Sequence, residues 1–182
     1  IEPVRYYPEG DTASHVLGYT RELTPEEFET RQAEGYRLQD YIGKLGLEAS
    51  LESRLRGEWG GQEIQVDRDG RFVKILGEKP AQAGEDLRLT LDAELQKVAQ
   101  RVLGRRKGAI VALDPRNGDV LAMASYPNFD PNIFSDRISP EKWAAVTAQG
   151  DPFINRAIRG FPPASTFKVV TAAAGMESGK YP

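Results

Sequence analysis

Asn155-Arg-Ala-Ile-Arg-Gly-Phe-Pro-Pro-Ala-Ser165-Thr-Phe-Lys168-Val-Val-Thr-Ala-Ala-Ala174 is the passage on which the reading of this 182-residue chain turns. Pro162 and Pro163 fix an extended approach and disfavour helix in the residue before each. A helix can then begin at or just after Ala164. Ser165 and Lys168 are three apart, so in a helix they share a face. The residues around them are apolar or small: Phe167, Val169, Val170, Ala172, Ala173, Ala174 and Met176. A helix apolar on every side predicts burial in a core. Burial disfavours the charged form of a lysine, which makes Lys168 a candidate general base for the Ser165 hydroxyl. The bland alternative is that Ser165 only caps a helix.

Ser-x-x-Lys alone is weak, because it occurs again at Ser139-Pro-Glu-Lys142. There Ser139 reads as an N-cap, Pro140 as the first helical residue and Glu141 as a first-turn acid, ahead of a short surface helix. Ser165 differs in its flanks. Asn155-Arg156, the Phe-Pro-Pro run and Ser165-Thr-Phe-Lys168 resemble the active-site serine region of penicillin-binding proteins. Upstream, Arg5-Tyr6-Tyr7-Pro8-Glu9-Gly10 resembles the R-x-Y-P-x-G motif in the non-catalytic pedestal of the class B members. Gly43-x-x-Gly46-x-Glu48, Leu55-x-Gly57-x-x-Gly60 and Asp67-x-x-Gly70 are similar to that family's third pedestal motif. Turn punctuation explains each glycine singly, but not their joint spacing. The resemblance covers nearly the whole chain. Ala164 stands where most of the family has glycine, which predicts that no positive φ is needed there.

Composition bounds the classes. Hydrophobic content of 40%, charged content of 28% and a net charge of −3 describe an ordinary globular chain with no nucleic-acid surface. The longest basic run, Arg105-Arg106-Lys107, suits the end of a helix. With no cysteine, disulfides and thiolate metal sites are excluded. The single histidine, His15, lies in an apolar stretch and reads as packing rather than as a metal ligand or triad base. No run is long enough for a transmembrane helix, and there is no signal peptide.

Two regions separate. In the first, residues 1–80, His15 to Tyr19 reads as a strand. Thr24-Pro25-Glu26-Glu27 reads as a capped helix start running to Ala33 and stopping at Gly35. Leu47, Leu51 and Leu55 form one stripe of a helix ending before Gly57. Glu63–Val66 and Arg71–Leu76 read as a hairpin about Asp67-Arg-Asp-Gly70. Residues 77–84 have linker composition, with the linker set at 81–88. In the second region, residues 89–182, Asp92 caps a helix of Ala93 to Arg106. Ala109–Leu113 and Val120–Ala124 read as two largely buried strands turned at Asn117-Gly118. The fold class is α+β.

The resemblance implies more. It implies a mixed pedestal followed by the opening of a transpeptidase domain, truncated before the S-x-N and K-T-G segments. It implies a peptidoglycan D,D-transpeptidase in which Ser165 attacks a stem peptide, Lys168 is general base, and the Ser165 backbone N–H donates to the oxyanion. It implies acylation by β-lactams and no cofactor or metal. It implies an N-terminal membrane anchor upstream, placement on the extracytoplasmic face of a bacterial inner membrane, and a membrane glycosyltransferase of the shape, elongation, division and sporulation family as partner. Gly18-Tyr19-Thr20 and Tyr41-Ile42-Gly43-Lys44 look more like the elongation type than the division type. Two rivals stand beside this: a serine β-lactamase or β-lactam sensor, and a pedestal acting only as a binding module.

Overall fold

The computed structural model describes residues 5–135, 138–148 and 150–180. Their elements are mixed helices and antiparallel strand pairs, the α+β class expected. In chain order they are α1 (Ser14–Leu17), β1 (Thr20–Glu22), α2 (Pro25–Arg31), β2 (Tyr41–Gly43), α3 (Gly46–Ser50), α4 (Glu52–Leu55), β3 (Gly61–Val66), β4 (Phe72–Lys79), α5 (Ala93–Leu103), β5 (Gly108–Leu113), β6 (Val120–Tyr126), α6 (Pro140–Thr147) and α7 (Lys168–Glu177).

The capping signals are obeyed. The Thr24 hydroxyl accepts from Glu27 N–H while the Glu27 carboxylate accepts from Thr24 N–H, the reciprocal box that starts α2. Asp92 accepts from Leu95 N–H at the start of α5, and Ser139 accepts from Lys142 N–H at the start of α6. Ser139 is therefore a cap. Arg106 donates to the Leu103 and Val102 carbonyls beyond the end of α5, as the cation-at-C-terminus reading requires.

Three local expectations are corrected. Ser14–Leu17 is a helical turn, not a strand, and the strand begins later, at Thr20. A short apolar run carries no usable period, so its sequence does not discriminate. The Leu47–Leu55 helix is two pieces, α3 and α4, broken at Leu51 (φ −116°). The Ser50 hydroxyl donates back to the Gly46 carbonyl at 2.6 Å, a bond that bends helices. The β5–β6 pair forms in register about Gly118, but β5 is only half covered, with Val111 and Leu113 exposed.

The β3–β4 hairpin forms as expected and runs longer, with Ile64 opposite Ile75 and Val66 opposite Phe72. All four of those side chains are exposed. Residues 77–79 belong to β4, and Gln82 exchanges two backbone hydrogen bonds with Glu58, so the linker-like stretch is tied to the first region. The main core lies where α5 meets the β5–β6 pair: Ala99 and Leu103 pack on Ala122 and Ala124. A smaller core joins Leu23, Tyr36 and Ile42.

Candidate active site

The N-terminal segment, residues 5–19, binds the second region of the chain directly. Tyr7 N–H donates to the Asn132 side chain at 2.9 Å, and the Asn132 amide donates back to the Tyr7 carbonyl at 2.8 Å. Ala13 N–H donates to Gln100 Oε1 of α5. Tyr19 stacks on Phe134 at 3.7 Å, with Phe129 and Phe153 completing an aromatic cluster. His15 is buried against Phe129, with Nε2 2.7 Å from the Pro152 carbonyl oxygen. Burial pushes its imidazole below the usual value, so the neutral form donates to Pro152. His15 is a packing residue, as its apolar surroundings suggest.

The two pedestal motifs meet at one carboxylate. Glu48, 7% exposed, accepts from Arg5 Nη2 at 3.1 Å and from the Tyr7 hydroxyl at 3.1 Å, and its Oε1 forms an ion pair with Arg5 Nε at 2.9 Å. Both oxygens of Glu48 are used, Oε2 by the Arg5 guanidinium and Oε1 by the Tyr7 hydroxyl. Burial raises the Tyr7 phenol pKa, and the negative charge of Glu48 raises it further. Gly43 makes this approach possible: a Cβ there would lie 1.9 Å from the Glu48 carbonyl oxygen. Gly46, Gly57 and Gly60 are likewise packed against backbone, whereas Gly10 and Gly70 serve turns with open space around them. Asp67 holds the Gly70 turn by accepting from Asp69 and Arg71 N–H groups. Leu55 is half-buried and Pro8 exposed. Sequence reasoning placed Glu48 in the third pedestal motif but named no partner for it. Its partners are 43 and 41 residues away, and only the opposite charges of the two motifs hint at the pairing.

The Ser165 region is built otherwise. Ala164–Phe167 forms a 3₁₀ turn that runs into α7. Ser165 lies in this turn and Lys168 opens the α-helix, with Lys168 N–H donating to the Ser165 carbonyl. Among the described residues the Ser165 N–H has no acceptor, and the Ser165 and Lys168 side chains make no hydrogen bond to each other. Three expectations are corrected. Ala164 adopts a left-handed backbone (φ +49°), the conformation that glycine takes without penalty. Pro163 before it already has a helical backbone (φ −72°, ψ −13°), so the approach is not extended at that residue. The helix is also not buried: Ser165 and Lys168 are exposed, as are Val169 (76%) and Met176 (72%). Its substantial packing neighbour among the described residues is the turn before it. The arrangement offers an open hydroxyl, an amine one turn on, and an unpaired backbone donor beside them.

Comparison with known proteins covers both regions. Residues 1–89 match the penicillin-binding protein dimerisation domain, and residues 108–182 match the penicillin-binding protein transpeptidase domain. The peptidoglycan D,D-transpeptidase MrdA of Escherichia coli K12 is 40% identical over 182 residues, which are 96% of this chain and 29% of that protein. MrdA of Acinetobacter baumannii is 40% identical over 177 residues, covering 96% of this chain and 26% of the relative. The chain thus spans under a third of the length of these relatives. The complex between penicillin-binding protein PBP2 and MreC from Helicobacter pylori superposes with a TM-score of 0.80 at 31% identity, over 96% of this chain and 32% of that one. Pseudomonas aeruginosa PBP2 in complex with WCK 5153 gives 0.74 at 34% identity, over 97% and 36%.

Proposed function

The chain belongs to the penicillin-binding proteins, and from that premise we propose that the intact protein is a peptidoglycan D,D-transpeptidase of the elongation type, acylated at Ser165. The observation that carries the proposal is the 3₁₀ turn with an open Ser165 hydroxyl, an unpaired Ser165 N–H and Lys168 three residues on. It stands in the region that matches the transpeptidase domain. Likeness to proteins named MrdA and PBP2 supports the elongation type.

In this reading Lys168 accepts the Ser165 proton as Oγ attacks the carbonyl of the stem peptide's penultimate D-alanine. The oxyanion that forms is held by the Ser165 N–H and a second donor, and D-alanine leaves as the ester closes. An amine from a neighbouring stem peptide then resolves the ester as a cross-link. A β-lactam acylates the same oxygen as its ring amide opens. The reaction needs no cofactor. Solvent exposure of the apolar α7 argues that further protein covers it in the working enzyme.

The same reading places the protein at the extracytoplasmic face of the inner membrane, anchored outside this chain. No helix of the described residues is long and apolar enough to cross a membrane. It assigns a membrane glycosyltransferase as partner of the pedestal. The exposed apolar face of the β3–β4 hairpin, Ile64, Val66, Phe72 and Ile75, favours a binding role for this region alongside the catalytic one. The likeness to a PBP2 in complex with MreC supports work within an assembly.

The test is labelling of the intact protein by a fluorescent penicillin. Ser165→Ala abolishes labelling and Ser139→Ala preserves it. Full labelling of the Ser165→Ala variant would remove the assignment.

A further inference from the structure

Ser125 lies on β6, 4% exposed, and its hydroxyl is spent on the chain that leads to Ser165. Oγ accepts from Arg156 N–H at 3.0 Å and donates to the Ile154 carbonyl at 3.3 Å. Both capacities of the hydroxyl are thus used on one peptide stretch. The same stretch closes on itself. Asn155 Oδ1 accepts from Ala157 N–H at 3.0 Å, and the Arg156 guanidinium donates to the Asp151 carbonyl at 3.1 Å. Asn155 Nδ2 also approaches Met123 Sδ of β6, at 3.6 Å. From Ile158 to Lys180 every residue is exposed except Gly175, which is half-exposed. The Ser125 bonds, part-buried, are therefore the last side-chain hydrogen bonds between β6 and this stretch before Ser165.

The strand that carries Ser125 is itself fixed from the α5 side. Gln96, 1% exposed, accepts from Met123 N–H at 2.7 Å and donates to the Met123 carbonyl at 3.1 Å. This side-chain amide takes the place of a neighbouring strand, so β6 is held in register two residues from Ser125. Gln96 also donates to Gln100, whose oxygen accepts from Ala13 N–H.

We infer that Ser125 is a positioning residue for the Ser165 nucleophile, resting on the reading of Ser165 given above. Its hydroxyl clamps the Ile154–Arg156 backbone to β6 and so sets where the Ser165 segment leaves the sheet. The Ser125 hydroxyl bonds only to Ile154 and Arg156, not to Ser165. It acts through the chain, by fixing where the attacking oxygen stands relative to a bound carbonyl, a placement to which acyl transfer is steeply sensitive.

The experiment is acylation of the intact protein by a chromogenic or fluorescent β-lactam, with the first-order acylation constant separated from the preceding binding constant. Wild type, Ser125→Ala, Ser125→Cys and Ala122→Gly are compared, each with its melting temperature. Ala122 lies on the same strand, wholly buried, and its change to glycine destabilises β6 while leaving the Ser125 hydroxyl in place. The expected result is an acylation constant lowered about tenfold in Ser125→Ala, with binding unchanged and Ala122→Gly within about twofold of wild type. The Cys variant, near in size but a weak hydrogen-bonding group, falls between and decides the matter if Ser125→Ala does not fold. Acylation of the Ser125 variants at the wild-type constant overturns the inference, as does an equal loss in Ala122→Gly. A wild-type protein that takes up no β-lactam at Ser165 overturns the functional reading itself, and the inference with it.

Discussion

The junction around Tyr19 and the arm that carries Ser165 are both rich in apolar side chains, yet they stand in opposite environments. At the junction, Phe129 and Phe134 are 4% and 3% exposed, and Tyr7, His15 and Glu48 are buried, with the Tyr7 hydroxyl, His15 Nε2 and the Glu48 carboxylate hydrogen-bonded. On the arm, Phe167 and Val170 are more than half exposed and no residue is buried. The difference teaches where stability resides and, on the proposed reading of Ser165, where the chemistry does. Residues 5–19 are pinned to residues 128–156 by contacts that a substitution would break. The arm contributes little to the packed body and presents the serine and lysine. Substitutions on the arm are therefore expected to change acylation at nearly constant stability, and substitutions at the junction to do the reverse.

The largest expected effect is at Lys168. Lys168→Met removes the amine, and Lys168→Arg keeps a charge that cannot serve as a base. Both should slow acylation of the intact protein by about a hundredfold or more. Melting temperature should hardly move, because the side chain is exposed. A stopped-flow acylation assay paired with a thermal melt decides it. Normal acylation in Lys168→Arg would assign the lysine a merely electrostatic role.

Glu48 is the converse case. Glu48→Ala leaves the buried Tyr7 hydroxyl without its acceptor and Arg5 without its counter-charge. Arg5 is 39% exposed and water takes up part of the loss, so about 2 kcal/mol of destabilisation is expected. Denaturant titration measures it. A loss below about 0.5 kcal/mol would show that water replaces the carboxylate at little cost.

How much of this was legible varies with sequence distance. The α2, α5 and α6 caps were legible, because a cap and its target lie three residues apart. The two hairpins were legible because Gly70 and Gly118 mark their turns. The Ser165–Lys168 pair was legible as a motif. Glu48 was not legible as a partner for Arg5 and Tyr7, nor Ser125 for Arg156, because those pairs form only once the chain folds back over 43, 41 and 31 residues. Burial of α7 was misread for a related reason: an apolar helix states that it would bury, not against what, and among the described residues α7 packs substantially only on the turn before it. The positive φ at Ala164 was misread because alanine rarely takes that conformation, so residue identity pointed the wrong way.

A smaller effect is expected from acid. The folded-state pKa of His15 is lowered by burial, so the unfolded chain binds the proton more readily. Its contribution to stability is full above the unfolded value of 6.5 and is lost as pH falls below that value towards the folded pKa. Thermal melts at pH 7.5 and 5.5 should differ more in the wild type than in His15→Gln. Equal pH dependence in the two proteins would place the acid sensitivity elsewhere.

The smallest effect is expected at Ala164. Glycine there removes the left-handed penalty of about 1 kcal/mol and adds backbone freedom to the unfolded chain in partial compensation. Ala164→Gly should change global stability by less than about 0.5 kcal/mol and leave acylation within about threefold. Acylation abolished by this change would mean that the alanine itself sets the geometry of the turn.

The division of labour between junction and arm rests on Ser165 as the reacting residue. Peptide mass mapping after β-lactam treatment of the intact protein tests this most directly. Trypsin cleaves after Arg159 and Lys168, and after Arg137 and Lys142, so the two candidate serines fall in separate peptides. The account predicts one added β-lactam on the Gly160–Lys168 peptide, localised to Ser165. An adduct on the Ile138–Lys142 peptide, or on any serine outside residues 160–168, would contradict it.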